Sequence, residues 1–297
     1  MQNNCILFNL LMLYLDYNVV FRLFSSRILQ KMEFPKCQTS PIVVKNSIEL
    51  LAFDGVGVAA VNWVVEVEPS EDNESWLLIA LLSLSTMQPD NVVIDWLKTI
   101  QQRAKLAEKP ILLAIHLSPL ILTQPQERVE FLRTLSHFAD SVILVAPLKG
   151  EAPAQTLARL PQFLVDMIFR PAMINLDCGD LSKRMKPEAA FFGCGVQQLS
   201  DESSIDDMSV PMAEIRQQWH DSYLPFADVQ SMLACIGGDE NISLEAYFAL
   251  KEQLQQSHDV FKLVNKEALS IGMSVKDDCA REEVHIGVLF FGLNFDE

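Results

Sequence analysis

The chain has few of the residues that build metal sites or disulfide frameworks. Its six cysteines are scattered without a C-x-x-C pair, and its five histidines also lie far apart. Scattered cysteines argue against a disulfide framework, and scattered histidines give no basis for a metal site. We therefore expect free thiols in a reducing, cytoplasmic compartment and no bound metal.

Basic residues are also scarce. Lysine and arginine number 23 against 39 aspartates and glutamates, a formal net charge of −16 over 297 residues. A field of this sign repels nucleic-acid phosphates and anionic membrane surfaces, so we expect no nucleic-acid partner and favour a partner with a basic surface. With 49% hydrophobic residues, the chain is long enough to bury a large core in one or two domains.

The N-terminal extension, residues 1–41, is considered apart from the fold. Residues 5–24 are strongly apolar, but Asp16 and Arg22 interrupt them and no small-residue cleavage pattern follows. Three interpretations stay open: an upstream translation artefact with Met32 as the true start, an interfacial helix, or a weak signal anchor. We favour the first, and we expect membrane contact only if this segment is part of the protein.

Apolar runs of strand length alternate with helical patterns in the first half of the chain. The predicted strands are 47–53, 76–83, 110–116 and 141–146, and the predicted helices are 58–67, 90–106 and 124–138. This alternation predicts an α/β fold with a parallel sheet covered on both faces. Residues 152–169 predict a long helix that Pro161 kinks.

The second half predicts a mixed sheet with further helices. The predicted strands are 189–196, 229–237, 268–275 and 284–293, and the predicted helices are 181–185, 211–220 and 243–256.

Two carboxylates lie three residues apart in the stretch NLDCGD, residues 175–180. In one interpretation Asp177 caps a helix that begins at Cys178, with Asp180 completing a capping box, and negative charge there stabilises a helix by about 0.3–1 kcal/mol. In the other interpretation they are catalytic carboxylates that position or activate a water molecule.

Three segments, in order, resemble the bacterial cell-division protein FtsZ of the tubulin/FtsZ superfamily. They are 48–66 (IELLAFDGVGVAAVNWVVE), 170–196 (RPAMINLDCGDLSKRMKPEAAFFGCGV) and 234–293, which contains IGGDENISLEAY. The resemblance implies a tubulin/FtsZ-like α/β fold: a parallel-sheet nucleotide-binding-type domain, a long central helix and a smaller α/β activation-type domain. We therefore expect a reduced GTPase-type domain at 42–151, the central helix at 152–170 and the activation-type domain at 171–297.

The resemblance also implies where a nucleotide would bind, and there the chain departs from the family. The first glycine-rich loop keeps Gly55 and Gly57, but Asp54 replaces a glycine and would face phosphate. The main phosphate loop corresponds to 84–89 (LSTMQP), which has no glycine. Gly55, Gly57 and Thr86 are the remaining candidates for a degenerate GTP site, with an ordinary turn and helix capping as the alternatives.

The family's catalytic loop is retained. The resemblance implies that Asn175, Asp177 and Asp180 act on the nucleotide of a neighbouring subunit, where carboxylates position water for attack on the γ-phosphate. We therefore expect an FtsZ-like division protein that has lost GTP binding, needs no cofactor and docks this loop on an FtsZ-type partner at the division site, as a filament cap or regulator.

Two alternatives stay open. One is a divergent GTP-binding GTPase that polymerises with itself, and the other is a decayed paralogue that retains only the fold.

Overall fold

The computed structural model describes residues 42–45, 48–64, 75–86, 89–118, 125–148, 150–198, 208–238, 242–256, 260–275 and 283–295. The expectations about the N-terminal extension fall outside these ranges. So do Met87 and Gln88, which belong to the segment in place of the main phosphate loop.

Strands and helices alternate along most of the described chain. The strands are β1 (Ile42–Lys45), β2 (Ile48–Ala52), β3 (Leu77–Leu84), β4 (Ile111–Leu117), β5 (Ser141–Val145), β6 (Ala172–Ile174), β7 (Ala189–Gln198), β8 (Ala227–Gly238), β9 (Phe261–Leu263), β10 (Leu269–Val275) and β11 (Glu283–Phe295). The helices are α1 (Gly55–Trp63), α2 (Asn91–Leu106), α3 (Pro125–Leu135), α4 (Pro153–Phe169), α5 (Cys178–Ser182), α6 (Ser209–Asp221) and α7 (Leu244–Gln256), with a 3-10 turn at Lys266–Ala268.

The described strands form one sheet in the order β1-β2-β3-β4-β5-β7-β11-β8-β10-β6, with β9 beside β8. Strands β2, β3, β4, β5 and β7 run parallel to one another. Strand β11 is antiparallel to both β7 and β8, and β8 is parallel to β10. The α/β fold expected from the sequence is therefore confirmed: the first half of the sheet is parallel apart from β1, which is antiparallel to β2, and the second half is mixed.

Helices cover both faces of this sheet. On one face α2, α3, α6 and α7 pack through apolar side chains that include Leu97, Leu132, Trp219 and Leu250. On the other face lie α1 and α4, which contribute Val61, Leu157 and Leu164 among others. Because both faces are buried, β3 and β4 are nearly continuous apolar sequences, as expected for parallel strands inside an α/β protein.

The central helix α4 is continuous from Pro153 to Phe169, with Pro161 inside it. It crosses the second half of the sheet at Gly287 of β11, where a Cβ atom would overlap the ring of Phe163. Glycine at this position therefore lets the central helix pack close to the sheet.

Several predicted boundaries were wrong. Helix α1 begins at Gly55 rather than at residue 58, because Asp54 caps it there. Helix α5 begins at Cys178, as the capping interpretation of Asp177 expected, and not at residue 181 as the helical pattern indicated. Strands β1, β6 and β9 were not predicted; they contain three or four residues each and pair only with neighbouring strands.

Candidate functional site

Helix α1 starts at the carboxyl end of β2 with Asp54 as its N-cap. The Oδ1 atom of Asp54 accepts a hydrogen bond from the backbone N–H of Gly57 at 2.7 Å. In nucleotide-binding α/β folds, unpaired N–H groups at such a helix N-terminus bind phosphate oxygens. Here a carboxylate of the chain itself takes one of these N–H groups.

The next helix repeats the arrangement. Asp90 caps α2, which follows β3, and its Oδ1 atom accepts the backbone N–H of Val93 at 2.9 Å. Because β2 and β3 are adjacent parallel strands, both caps lie at neighbouring carboxyl ends. We call Asp54 and Asp90 the cap pair. Their two carboxylates occupy the N-termini of the helices that follow β2 and β3.

The three predicted cofactor-binding residues lie beside the cap pair but in different environments. Gly57 is buried, and a Cβ atom there would lie 3.0 Å from the carbonyl oxygen of Leu81 and 3.1 Å from the Cβ of Ala52. Its missing side chain thus serves the close packing of α1 on β2 and β3. Gly55 and Thr86 are exposed, and an added Cβ at Gly55 meets no atom within 4 Å.

The adjacent strands β3 and β4 carry a polar pair near their carboxyl ends. Oγ of Ser83 in β3 lies 3.2 Å from Nδ1 of His116 in β4, and the imidazole is 3% exposed. Burial lowers the pKa of His116 below 6.5, while the charge of Glu151 acts in the opposite direction. His116 is therefore a neutral, hydrogen-bonded core histidine at neutral pH.

A second polar cluster joins the start of α4 to β7. The carboxylate of Glu151 pairs with the guanidinium of Arg159 and accepts the hydroxyl of Thr156 at 2.9 Å, and Arg159 donates to Sγ of Cys194 at 2.6 Å. Burial raises the pKa of the Cys194 thiol, and the nearby charge of Arg159 opposes this only in part. A thiol in that state is a poor nucleophile, so the cluster is a structural connection.

The predicted catalytic loop, residues 175–180, follows β6 and lies beside β10. Asn175 and Asp177 are exposed, whereas Leu176 is buried against Gly272 of β10. The loop thus exposes the side chains of Asn175 and Asp177, while the buried side chain of Leu176 packs against β10.

Its two carboxylates form the reciprocal capping box that the sequence offered as one interpretation. Asp177 Oδ1 accepts the N–H of Asp180 at 2.8 Å, and Asp180 Oδ2 accepts the N–H of Asp177 at 3.2 Å. The cap interpretation is confirmed, and it uses one oxygen of each carboxylate.

Arg184 was missed by the sequence reasoning. Its guanidinium donates to the carbonyl oxygen of Asp180 at 2.7 Å and to Ser270 Oγ at 2.5 Å. The sequence carries one signal for this contact: Arg184 lies four residues after Asp180, the spacing at which side chains of a helix are neighbours. The bond to Ser270, 86 residues away, has no sequence signal.

The cap pair and the loop lie at opposite ends of the strand order. Six strand spacings separate β3 from β10, which at about 4.8 Å each amounts to about 29 Å across the sheet. The carboxylates of Asp177 and Asp180 therefore cannot act on a ligand bound at the cap pair of the same chain.

Within the described ranges, no group of three or more His, Cys, Asp or Glu side chains is arranged to hold a metal ion. A search of the same residues finds no helix with the length and apolar character needed to cross a membrane.

Solved structures with the same architecture identify the fold. A tryptophan-to-tyrosine mutant of FtsZ from M. jannaschii aligns with 74% of this chain and 66% of its own length, with a TM-score of 0.56 and 13% identity. The chain has a tubulin/FtsZ-like fold. A GDP-form protofilament structure of TubZ from Bacillus thuringiensis serovar israelensis aligns with 81% of this FtsZ-like chain and 66% of TubZ, with a TM-score of 0.51 and 12% identity.

The FtsZ-like chain spans just under two thirds of the length of both proteins. At identities this low the likeness shows the fold and not the activity. At the sequence level, no family model and no curated protein matches.

Proposed function

We propose that this FtsZ-like protein does not bind GTP and instead docks residues 175–180 on the exposed nucleotide of an FtsZ-type partner. At the end of a partner filament it acts as a cap or regulator of assembly, in the cytoplasm at the division site. The observation that carries the proposal is the cap pair: aspartate carboxylates hold the two helix N-termini that a nucleotide phosphate requires.

The electrostatic argument against GTP is direct. A phosphate at the start of α1 must displace Asp54 from the N–H of Gly57 or lie beside its negative charge. Two like charges about 4 Å apart repel by about 1 kcal/mol in water and about 4 kcal/mol near a protein surface. Asp90 adds the same penalty at α2. The glycine-free segment after β3 supplies no evident compensation.

The loop supports the docking half of the proposal. Asn175 and Asp177 are exposed, and Asp180 has 30% of its side chain exposed. Because the capping box uses one oxygen of each aspartate, the exposed Asp177 keeps a second carboxylate oxygen with which to orient a water molecule on a partner's γ-phosphate. Asn175 positions the loop. The protofilaments of TubZ show that this fold assembles in filaments in that protein.

One observation favours the alternative of a self-polymerising GTPase. Gly55 is exposed with open space around it, so the first turn of α1 retains one backbone position open to a ligand. Calorimetric titration of the purified chain with GTP and GDP separates the two functions. We expect no binding at micromolar nucleotide, and micromolar affinity would favour the alternative.

The docking function is tested by adding the protein, well below equimolar amounts, to an assembling FtsZ-type partner with GTP. We expect shorter filaments by light scattering and an altered rate of phosphate release. Absence of binding and of any effect on assembly or hydrolysis would falsify the proposal.

A further inference from the structure

The loop that carries Asp177 and Asp180 is fastened to β10 at two points. Ser270 and Gly272 are two residues apart in β10, so they present the same face of the strand. At Gly272, a Cβ atom would lie 3.0 Å from the side chain of Leu176 and 3.2 Å from the carbonyl oxygen of Ile174. The start of the loop therefore lies directly against the backbone of β10.

Arg184 makes the second attachment. Its side chain is 12% exposed, and its guanidinium joins the carbonyl oxygen of Asp180 to Ser270 Oγ, with 3.9 Å to Asp180 Oδ1. At the end of helix α5 the carbonyl oxygens of Gly179 and Leu181 accept backbone N–H groups of the residues that follow. The side chain of Arg184 supplies a partner for the carbonyl oxygen of Asp180 and ties it to β10.

We propose that Arg184 is a positioning residue that sets the direction of the Asp180 carboxylate toward a docked nucleotide. This inference rests on the proposed function of the loop. Hydrogen bonds from a charged donor are about twice as strong as neutral ones. A planar guanidinium reaches two acceptors in a fixed geometry, which the single ammonium group of a lysine does not reproduce. Arg184 thus adds a further restraint on Asp180, beside the Leu176 contact with β10 and the capping box that Asp177 and Asp180 form.

The test uses the full chain with Arg184→Met and Arg184→Lys, and with Arg133→Met on the exposed surface of α3 as the matched control. In the isolated protein, we expect amide hydrogen exchange at residues 177–182 to become about tenfold faster in Arg184→Met, as loss of a charge-assisted hydrogen bond implies. The exchange rate in β11 stays unchanged. At residues 177–182 the exchange rate of Arg184→Lys lies between those of the wild type and Arg184→Met, and the rate of the Arg133→Met control equals that of the wild type.

With the partner, we expect Arg184→Met to keep the wild-type affinity but to lose most of the maximal effect on the hydrolysis rate. Unchanged exchange at 177–182, or faster exchange throughout the protein, overturns the inference whatever the partner does. An Arg184→Lys variant whose exchange at residues 177–182 equals that of the wild type also overturns the inference. If the wild type itself leaves the partner unaffected while Arg184→Met loosens the loop, the docking proposal fails but the role of Arg184 in holding the loop stands.

Discussion

The carboxylate of Asp54 lies 2.7 Å from the backbone nitrogen of Gly57, across the first turn of α1. In most proteins such a contact only stabilises the start of a helix. Here it also places a carboxylate after the carboxyl end of a parallel strand, and a second capped helix begins after Asp90, following the adjacent strand. The same two aspartates therefore stabilise the starts of both helices and, in the proposed function, also oppose phosphate binding.

Two substitutions at Asp54 distinguish the contribution of the capping hydrogen bond to stability from that of the negative charge. We expect Asp54→Ala to lower the free energy of unfolding by about 1 kcal/mol, while Asp54→Asn keeps it because asparagine caps as well as aspartate. Urea denaturation measures the difference. Asp95→Ala, at an exposed position inside α2, is the control and should change little. A loss in Asp54→Asn equal to that in Asp54→Ala would contradict the assignment of the cap.

The two glycines of α1 should respond in opposite ways to alanine. Gly57→Ala places a methyl group 3.0 Å from a backbone oxygen of β3, which cannot move freely, so we expect a loss of about 1–3 kcal/mol from overpacking. Gly55→Ala has open space and should be neutral or stabilising by about 0.5–1 kcal/mol. Thermal unfolding of both variants checks this. Equal effects would mean that Gly57 is not a packing residue.

Asparagine substitutions in the loop test function without loss of structure. Because asparagine replaces aspartate well as a cap, Asp177→Asn with Asp180→Asn should change the unfolding free energy by less than about 1 kcal/mol. The effect on a partner's GTPase rate should be lost, since the neutral amides do not accept a proton or polarise water as carboxylates do. Phosphate release measures the rate, and Asp221→Asn on α6 serves as the control. If the double variant has the full effect on the partner's GTPase rate, Asp177 and Asp180 act only as helix caps.

A buried ion cluster should be far more important for stability than an exposed pair. Glu49 is 3% exposed and pairs with Arg103 of α2 and, at 3.3 Å, with Lys109. We expect Glu49→Ala to cost about 3–5 kcal/mol, because it removes a buried carboxylate and leaves two partly buried cations without their partner. Glu130→Ala, which breaks an exposed pair on α3, should cost less than about 1 kcal/mol. Guanidinium denaturation compares them, and similar losses would contradict the prediction.

The pH dependence of stability should contain a contribution from His116. Burial holds its pKa in the folded protein below 6.5, so between that lower pKa and 6.5 the unfolded chain binds a proton that the folded chain does not. Stability from this group is complete above pH 6.5 and falls as the pH is lowered through that value, by up to about 1.4 kcal/mol per pH unit. His116→Gln should reduce this slope in denaturation experiments on either side of pH 6.5. An unchanged slope would show that other groups cause it.

Much of the fold can be predicted from the sequence, because strands of a sheet that is buried on both faces are continuous apolar runs. The apolar runs that became β3, β4 and β5 and the long helix α4 were predicted within a few residues. Strand β9 contains three residues and exists only through its pairing with β8, so no local pattern reveals it. The contact of Arg159 with Cys194 likewise joins residues whose separation in sequence is 35, far beyond any local period.

For the candidate site, the sequence by itself determined the residue types: an aspartate in place of glycine before α1, no glycine after β3, and an intact NLDCGD loop. Only the tertiary structure decided what these residues contact and how far apart they lie. Asp54 accepts the backbone N–H of Gly57 in the first turn of α1, and six strand spacings, about 29 Å across the sheet, separate β3 from the strand that holds the loop. Strand order depends on contacts between distant segments, and local sequence patterns do not encode it.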